Sequence, residues 1–242
     1  MYKMFINGAK GANVIAVISY VFKLQRACFF MDVEDKFRNR FRLWRNEIYD
    51  HRRVLLASLI FLIIAGILSY LSGQYVISVS GPEVPDLLLD NFGPYDLEFI
   101  FVYGFLSILA LMLVYPLFFR VNKLHVLISQ FSLLVAIRSL FIVLTHLQTP
   151  ADAIPVNFPG VLALLKFYND SFFSGHVAIS FLGFLLFRKE KIGYLFLLLS
   201  LVMGVTVILT HQHYSIDVLG AFFVTYASYK IGDIIFRKIN HY

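Results

Sequence analysis

The chain has 242 residues, of which 59% are hydrophobic and 15% charged, with a mean hydropathy of +0.75. This composition excludes an ordinary soluble domain and is typical of a protein with several membrane spans. A single cysteine excludes an intrachain disulfide framework. The basic residues behind the net charge of +6 lie mainly in the first 53 residues and in alternate loops. This distribution is typical of membrane topology, so nucleic acid is not an expected partner.

The first 53 residues differ from the rest, because eleven of the 21 Lys and Arg residues lie there. The apolar run 12–21 is too short to span a bilayer, and Lys23 and Arg26 beside it argue against a secretory signal. Residues 32–53 interleave charged and aromatic side chains, which predicts an amphipathic helix on the cytoplasmic surface. A charged linker, and a start at Met31 in place of Met1, stay open.

Six apolar runs follow, and a helix of about 20 apolar residues crosses a bilayer. The fourth run is the shortest of the six. The fold is therefore predicted to be all-α and polytopic, with six transmembrane helices in a domain over residues 54–242. The predicted spans are residues 54–74, 99–119, 124–147, 172–187, 192–210 and 215–236.

Basic residues indicate the orientation of these spans. Arg120 and Lys123 follow the second span, three more follow the fourth, and others follow the sixth, whereas the loops after the first, third and fifth spans hold only Lys166. The positive-inside rule then places both termini in the cytoplasm. The remaining loops face the lumen, the periplasm or the exterior.

This alternation places ionisable residues from separate helices at one depth, on or near the outer face. Ionisable groups at membrane depth are costly, and function is their default explanation. The set comprises Asp86, Asp90, Arg138, His146, Asp170, His176, His211, His213 and Asp217.

Two short motifs in this set suggest chemistry at phosphorus. His213 and Asp217 are four residues apart and share a helix face if the last helix begins near them. A carboxylate fixes the tautomer of an imidazole and stabilises its cation. Ser174 and Gly175 precede His176 at a predicted helix start, where free N–H groups attract an oxyanion. One histidine can attack phosphorus while the other protonates the departing oxygen.

With these motifs the chain resembles the phosphatidic-acid-phosphatase-type superfamily, and within it the sphingomyelin synthase branch. The resemblance covers about residues 54–236 and is carried by four blocks in order: residues 82–90, Arg138 with Ser139, residues 170–176 and residues 211–218. The chain departs from the branch's pattern at Ser139, Asn169 and Val177. The identity of the head group therefore stays open.

The resemblance implies a triad in which His213 is the nucleophile, Asp217 orients it and His176 is the acid and base. It implies a phosphohistidine that carries the head group, release of diacylglycerol and transfer to a ceramide-like alcohol, with no metal and no cofactor. The expected partners are lipid substrates, with a homo-oligomer left open. The substrate contacts are expected from Arg138, Asp86, Asp90, Asp170, Ser174, Gly175 and Tyr214.

Two other functions stay open. One is a lipid phosphate phosphatase or phospholipase C with water as acceptor, and the other is a lipid binder without activity. A phosphate monoester carries nearly two negative charges, which phosphatases of the superfamily match with several basic residues. One of these is an Arg six residues before the nucleophile, and this chain has Val207 at that position. A diester carries one charge, which Arg138 alone can match. Acidic outer loops, which include Asp96 and Glu98, are expected to attract a choline or ethanolamine cation.

Structural roles are the alternative for several of these residues. Arg138 would then neutralise Asp90 or Asp217. Asp86 and Asp90 would cap a loop helix, and His146 and His211 would support the site from outside it. The many phenylalanines are expected to face lipid.

Overall fold

The computed structural model describes residue 39 and residues 41–79, 81–158, 160 and 172–237. They belong to two units, Met1–Asp50 and His51–Tyr242. In the first unit residues 41–50 are helical, and the rings of Phe41 and Trp44 stack at 5.6 Å. The predicted amphipathic helix over residues 32–53 is thus described only in part, and its place on a membrane surface stays a prediction.

Helices make up the second unit, and no strand occurs within the described ranges. A short π-helix, Ile100–Gly104, leads into α2, and a 3₁₀ turn, Val121–Lys123, leads into α3. The α-helices are α1 Arg52–Ser78, α2 Phe105–Phe119, α3 Leu124–Leu144, α4 Gly175–Phe187, α5 Lys191–Leu209 and α6 Ser215–Arg237.

Five segments are long and apolar enough to cross a membrane, which confirms the all-α fold and fits an integral multi-pass membrane protein. The fourth predicted span is the exception, because α4 has 13 residues, about 20 Å of helix at about 1.5 Å per residue. A count of six spans and the cytoplasmic termini stay predictions. The five segments are Arg52–Ser78, Ile100–Phe119, Val121–Leu144, Lys191–Leu209 and Ser215–Phe236.

Small and polar residues allow the helices to approach closely. Ser58 of α1 lies 2.7 Å from the hydroxyl of Ser129 in α3, and its own hydroxyl also donates to a backbone carbonyl of α3 at 3.2 Å. In the α4–α5 hairpin, a Cβ on Gly183 would lie 2.6 Å from the ring of Phe196. Such contacts are typical of helix interfaces in membranes, where lipid is as apolar as the side chains it would replace.

Successive helices run in opposite directions, so their termini fall into two groups, one at each end of the bundle. The histidine end comprises the last turns of α1, α3 and α5 and the first turns of α4 and α6, with the π-helix before α2. The basic end comprises the opposite helix termini, near Arg53, Arg120, Lys123 and Arg188.

Glu190, in the turn between α4 and α5, binds three side chains near the junction between α2 and α3 at the basic end. Its carboxylate accepts hydrogen bonds from Lys123 Nζ at 2.8 Å, from Arg120 Nε at 3.2 Å and from the Tyr115 hydroxyl. Burial alone would raise the pKa of Glu190, but these donors lower it from 4.5 to about 2. The turn is thereby fastened to the junction between α2 and α3.

We expect Glu190→Gln to lower the free energy of unfolding by about 1 kcal/mol at neutral pH. The loss stays this small because the side chains of Arg120 and Lys123 are 50% and 39% exposed, so water screens the attraction. A lowered pKa stabilises the fold above the unfolded pKa, near 4.5, and the stabilisation disappears as the pH falls toward 2.

Thermal unfolding in detergent across this pH window tests the prediction. The difference between wild type and Glu190→Gln should shrink below pH 4.5, while Glu83→Gln, in an exposed loop position, should change little at any pH. A difference that stays constant with pH contradicts the prediction.

Candidate active site

The first turn of α6 positions the carboxylate of Asp217. The helix begins at Ser215, so His213 lies in the loop before it and not on the shared helix face that the spacing suggests. Asp217 is the third residue of the helix, and its Oδ2 accepts the N–H of Tyr214 at 3.0 Å, as the acidic N3 residue of a capping box does. The same oxygen lies 3.5 Å from Nδ1 of His213, within ion-pair range but longer than a formed hydrogen bond.

A backbone hydrogen bond joins the two predicted motifs. The N–H of Ser174 donates to the carbonyl of Asp217 at 3.3 Å. Ser174 is the N-cap residue of α4, so His176 lies in the first turn of that helix. His213 and Arg138 both lie near His176. The histidine end therefore brings the three members of the predicted triad together.

Arg138 of α3 lies against the start of α4. Its Nε donates to the carbonyl of Phe173 at 3.0 Å. A Cβ on Gly175 would lie 3.3 Å from the same nitrogen, so a residue without a side chain permits this approach. A guanidinium beside the free N–H groups of a helix start is suited to bind phosphate.

Three buried polar atoms at this junction have no hydrogen-bond partner among the described residues. They are Ser174 Oγ, His176 Nε2 and Asp217 Oδ1. Buried polar atoms are normally satisfied, and a functional site is one reason for an exception. All three belong to residues that the sequence singles out.

Aromatic rings surround His176. The ring centroids of Phe101 and Phe105 lie 4.1 and 4.2 Å from that of His176, and the centroid of Phe158 lies 6.2 Å away. The expectation that phenylalanines face lipid is therefore wrong for these three. An aromatic pair four residues apart at the outer end of a predicted span was the signal available in the sequence.

Asp86 acts as a cap. One carboxylate oxygen accepts the N–H and the hydroxyl of Ser215 at 2.8 and 2.7 Å, and the other accepts the N–H groups of Leu88 and Leu89 at 2.9 and 3.2 Å. Burial would raise the pKa of the Asp86 carboxyl, but these bonds lower it below its ordinary value. Asp86 thus caps the turn in its own loop, the alternative that the sequence left open, and it also fastens that loop to the start of α6, which the sequence did not predict.

A cavity of about 520 Å³ lies beside this cap. Asp90 lines it, so Asp86 and Asp90 share one cavity, and Tyr214 links that cavity to the triad because its backbone N–H bonds Asp217. The hydroxyl of Tyr214 donates to the carbonyl of Gln148 at 3.0 Å. The acidic residues that line the cavity are Glu83, Asp86, Asp90 and Asp152.

His211 connects the loop after α1 and the loop after α3 to the loop that carries His213. It is 2% exposed and adopts a left-handed backbone, with φ of 54°. One ring nitrogen lies 2.8 Å from the carbonyl of Phe92, and the other lies 2.8 Å from the carboxylate of Asp152. Both partners are acceptors, so both bonds form together when the imidazole carries two protons.

Two other predicted residues stand apart from this cluster. The ring of His146 lies 5.6 Å from that of Tyr75, and its Nε2 has no hydrogen-bond partner in the described part of the chain. Asp170 lies outside the described residues. The roles of all the predicted site residues stay predictions.

Residues 169–233 match the family described as PAP2 superfamily, C-terminal. The matched segment includes His176, His213 and Asp217, but neither Arg138 nor the acidic loop around Asp86. No curated protein matches the chain. The match supports the phosphatidic-acid-phosphatase-type superfamily and an activity of the lipid phosphatase or phosphotransferase type, whereas the sphingomyelin synthase branch stays a prediction.

We expect His211→Ala to lower the free energy of unfolding by about 2 kcal/mol, because it removes the hydrogen bonds of a buried imidazole, and to lower activity by misplacing His213. Thermal unfolding and turnover of a phospholipid donor measure the two effects. His146→Ala is the matched control, since that histidine lies at the same end without a bond to either loop carbonyl or carboxylate among the described contacts. Equal effects of the two variants would contradict the role of His211.

Proposed function

We propose that the protein is a membrane phosphotransferase that moves phosphocholine or phosphoethanolamine from a glycerophospholipid to a ceramide-like lipid alcohol. The observation that carries the proposal is the convergence of His176, His213 and Asp217 at the adjoining starts of α4 and α6. The superfamily match supports the class of chemistry.

The first half of the reaction would break the bond between phosphorus and the diacylglycerol oxygen. Nδ1 of His213 faces Asp217, so Nε2 attacks phosphorus while the carboxylate stabilises the cation that forms. His176 gives a proton to the departing oxygen. Arg138 and the N–H groups at the start of α4 stabilise the phosphoryl oxygens.

The second half would regenerate the enzyme. His176 takes the proton from the hydroxyl of the lipid alcohol, and the alcohol oxygen attacks phosphorus. The bond between phosphorus and His213 breaks, and its electron pair returns to the imidazole. A diester carries one negative charge at phosphorus, which the single guanidinium of Arg138 matches.

The acidic cavity is our candidate site for the cationic head group. Its carboxylates are complementary to choline or ethanolamine. Asp86 already satisfies four donors with its two oxygens, so Asp90 is the better candidate for direct attraction. Tyr214 connects the cavity to the capped start of α6.

Head-group-labelled phosphatidylcholine or phosphatidylethanolamine, with and without ceramide, tests the function. Wild type should form labelled sphingolipid, and His213→Ala should form neither product nor a labelled enzyme. His176→Ala should lose about 10²–10⁴-fold in rate. With p-nitrophenyl phosphocholine, whose leaving group needs little protonation, His176→Ala should recover much of the first step while His213→Ala stays inactive.

Other outcomes assign the protein differently. Free phosphocholine or phosphoethanolamine alone indicates a hydrolase, and no turnover of any phospholipid indicates a lipid binder. Label on His176, or recovery of His213→Ala with the activated donor, would exchange the roles of the two histidines.

We expect Asp90→Asn to raise the KM for choline and ethanolamine lipids and to leave thermal stability near that of wild type. Asp86→Asn should instead lower thermal stability, because it weakens the cap of α6. Kinetics over a series of donor concentrations, paired with unfolding curves, separate the two effects. A wild-type preference for phosphatidic acid over both cationic lipids would contradict the head-group assignment.

A further inference from the structure

We propose that Phe101, Phe105 and Phe158 form an aromatic enclosure around His176 that excludes water from the second half-reaction and so selects a lipid alcohol as acceptor. This inference rests on the proposed phosphotransferase function. It deepens that function by assigning the choice of acceptor to named side chains.

Apolar rings cover part of the His176 imidazole, and the residue is partly buried. Centroid separations of 4.1 and 4.2 Å place Phe101 and Phe105 in van der Waals contact with His176. Phe158 packs edge-on against Phe101 at 6.2 Å and extends the wall. Phe101 is 3% exposed, and Nε2 of His176 is buried without a hydrogen-bond partner in the described ranges.

The π-helix before α2 builds this wall. Phe101 lies within Ile100–Gly104, and Phe105 is the first residue of α2. Single π-turns occur frequently at functional sites, because the wider turn redirects the side chains around it. Phe99 and Tyr103, from the same stretch, are 73% and 51% exposed, and their tilted rings lie 5.2 Å apart. One aromatic pair thus faces the histidine while the other faces outward.

The chemistry of the second half-reaction does not by itself distinguish the acceptors. In either case an O–H proton goes to Nε2 of His176, an O–P bond forms, and the P–N bond to His213 breaks with its electron pair returning to the ring. Water would yield a free alcohol phosphate, and a lipid alcohol would yield a new lipid. Exclusion of water from the site therefore decides the product. Apolar rings beside the proton acceptor admit a lipid more readily than they admit water.

The test measures two products in one reaction. Wild type and variants receive labelled phosphatidylcholine with ceramide, and labelled sphingolipid and free phosphocholine are quantified together. Their ratio does not depend on the amount of folded enzyme. Phe105→Ala should raise the ratio of free phosphocholine to labelled sphingolipid by about tenfold. This corresponds to a change of about 1.4 kcal/mol in the difference between the two activation barriers.

Three further variants complete the design. Phe101→Leu and Phe105→Leu keep apolar bulk, so they protect the fold if the alanine variant is unstable, and each should raise the ratio by a smaller factor. Phe99→Ala, the outward-facing control, should leave the ratio unchanged.

The outcomes separate this inference from the function on which it rests. A wild type that forms sphingolipid, with an unchanged ratio in the Phe101 and Phe105 variants, overturns the enclosure alone. A wild type that releases only phosphocholine overturns both the transferase and the exclusion of water. No turnover of phosphatidylcholine or phosphatidylethanolamine by wild type removes the proposed function and the enclosure with it.

Discussion

The carboxylate of Asp217 is the group on which the geometry of the site depends. A buried carboxylate is stable only when it is hydrogen-bonded or paired, and here it accepts the N–H of Tyr214 and faces His213. The carbonyl of the same residue accepts the N–H of Ser174. One residue therefore caps the start of α6, lies beside one histidine and ties down the start of the helix that carries the other. The chemistry of helix ends, rather than loop packing, sets the distance between the two motifs.

The loops after α1 and α3 support this arrangement. Asp86 caps α6 from one loop, and His211 joins Phe92 and Asp152 to the segment that carries His213. From the sequence alone these residues look like substrate-binding residues, because helix caps and substrate sites use the same hydrogen-bond donors and acceptors. Asp86 and Asp90 both line the cavity. The two oxygens of Asp86 already accept four hydrogen bonds from the protein, so Asp86 serves as a cap and Asp90 is the better candidate for substrate attraction.

Local sequence determined the helices well, and the exceptions have physical reasons. Hydropathy placed the ends of α5 and α6 within one residue of those observed, because burial in lipid demands a continuous apolar run. The start of α4 was placed too early, since Phe172 and Phe173 are apolar but precede the N-cap residue Ser174. An apolar residue in a loop is indistinguishable from one in a helix when only hydropathy is considered.

The sequence by itself determined the helical class, the apolar spans and the short motifs around His176 and His213, since all of these are encoded within a few residues or one helical turn. Only the tertiary structure decided that Phe101 and Phe105 contact His176 and that Asp86 reaches Ser215. These partners are far apart in the chain. Periodicity reports which face of a helix is apolar, but it does not report whether lipid or another side chain covers that face.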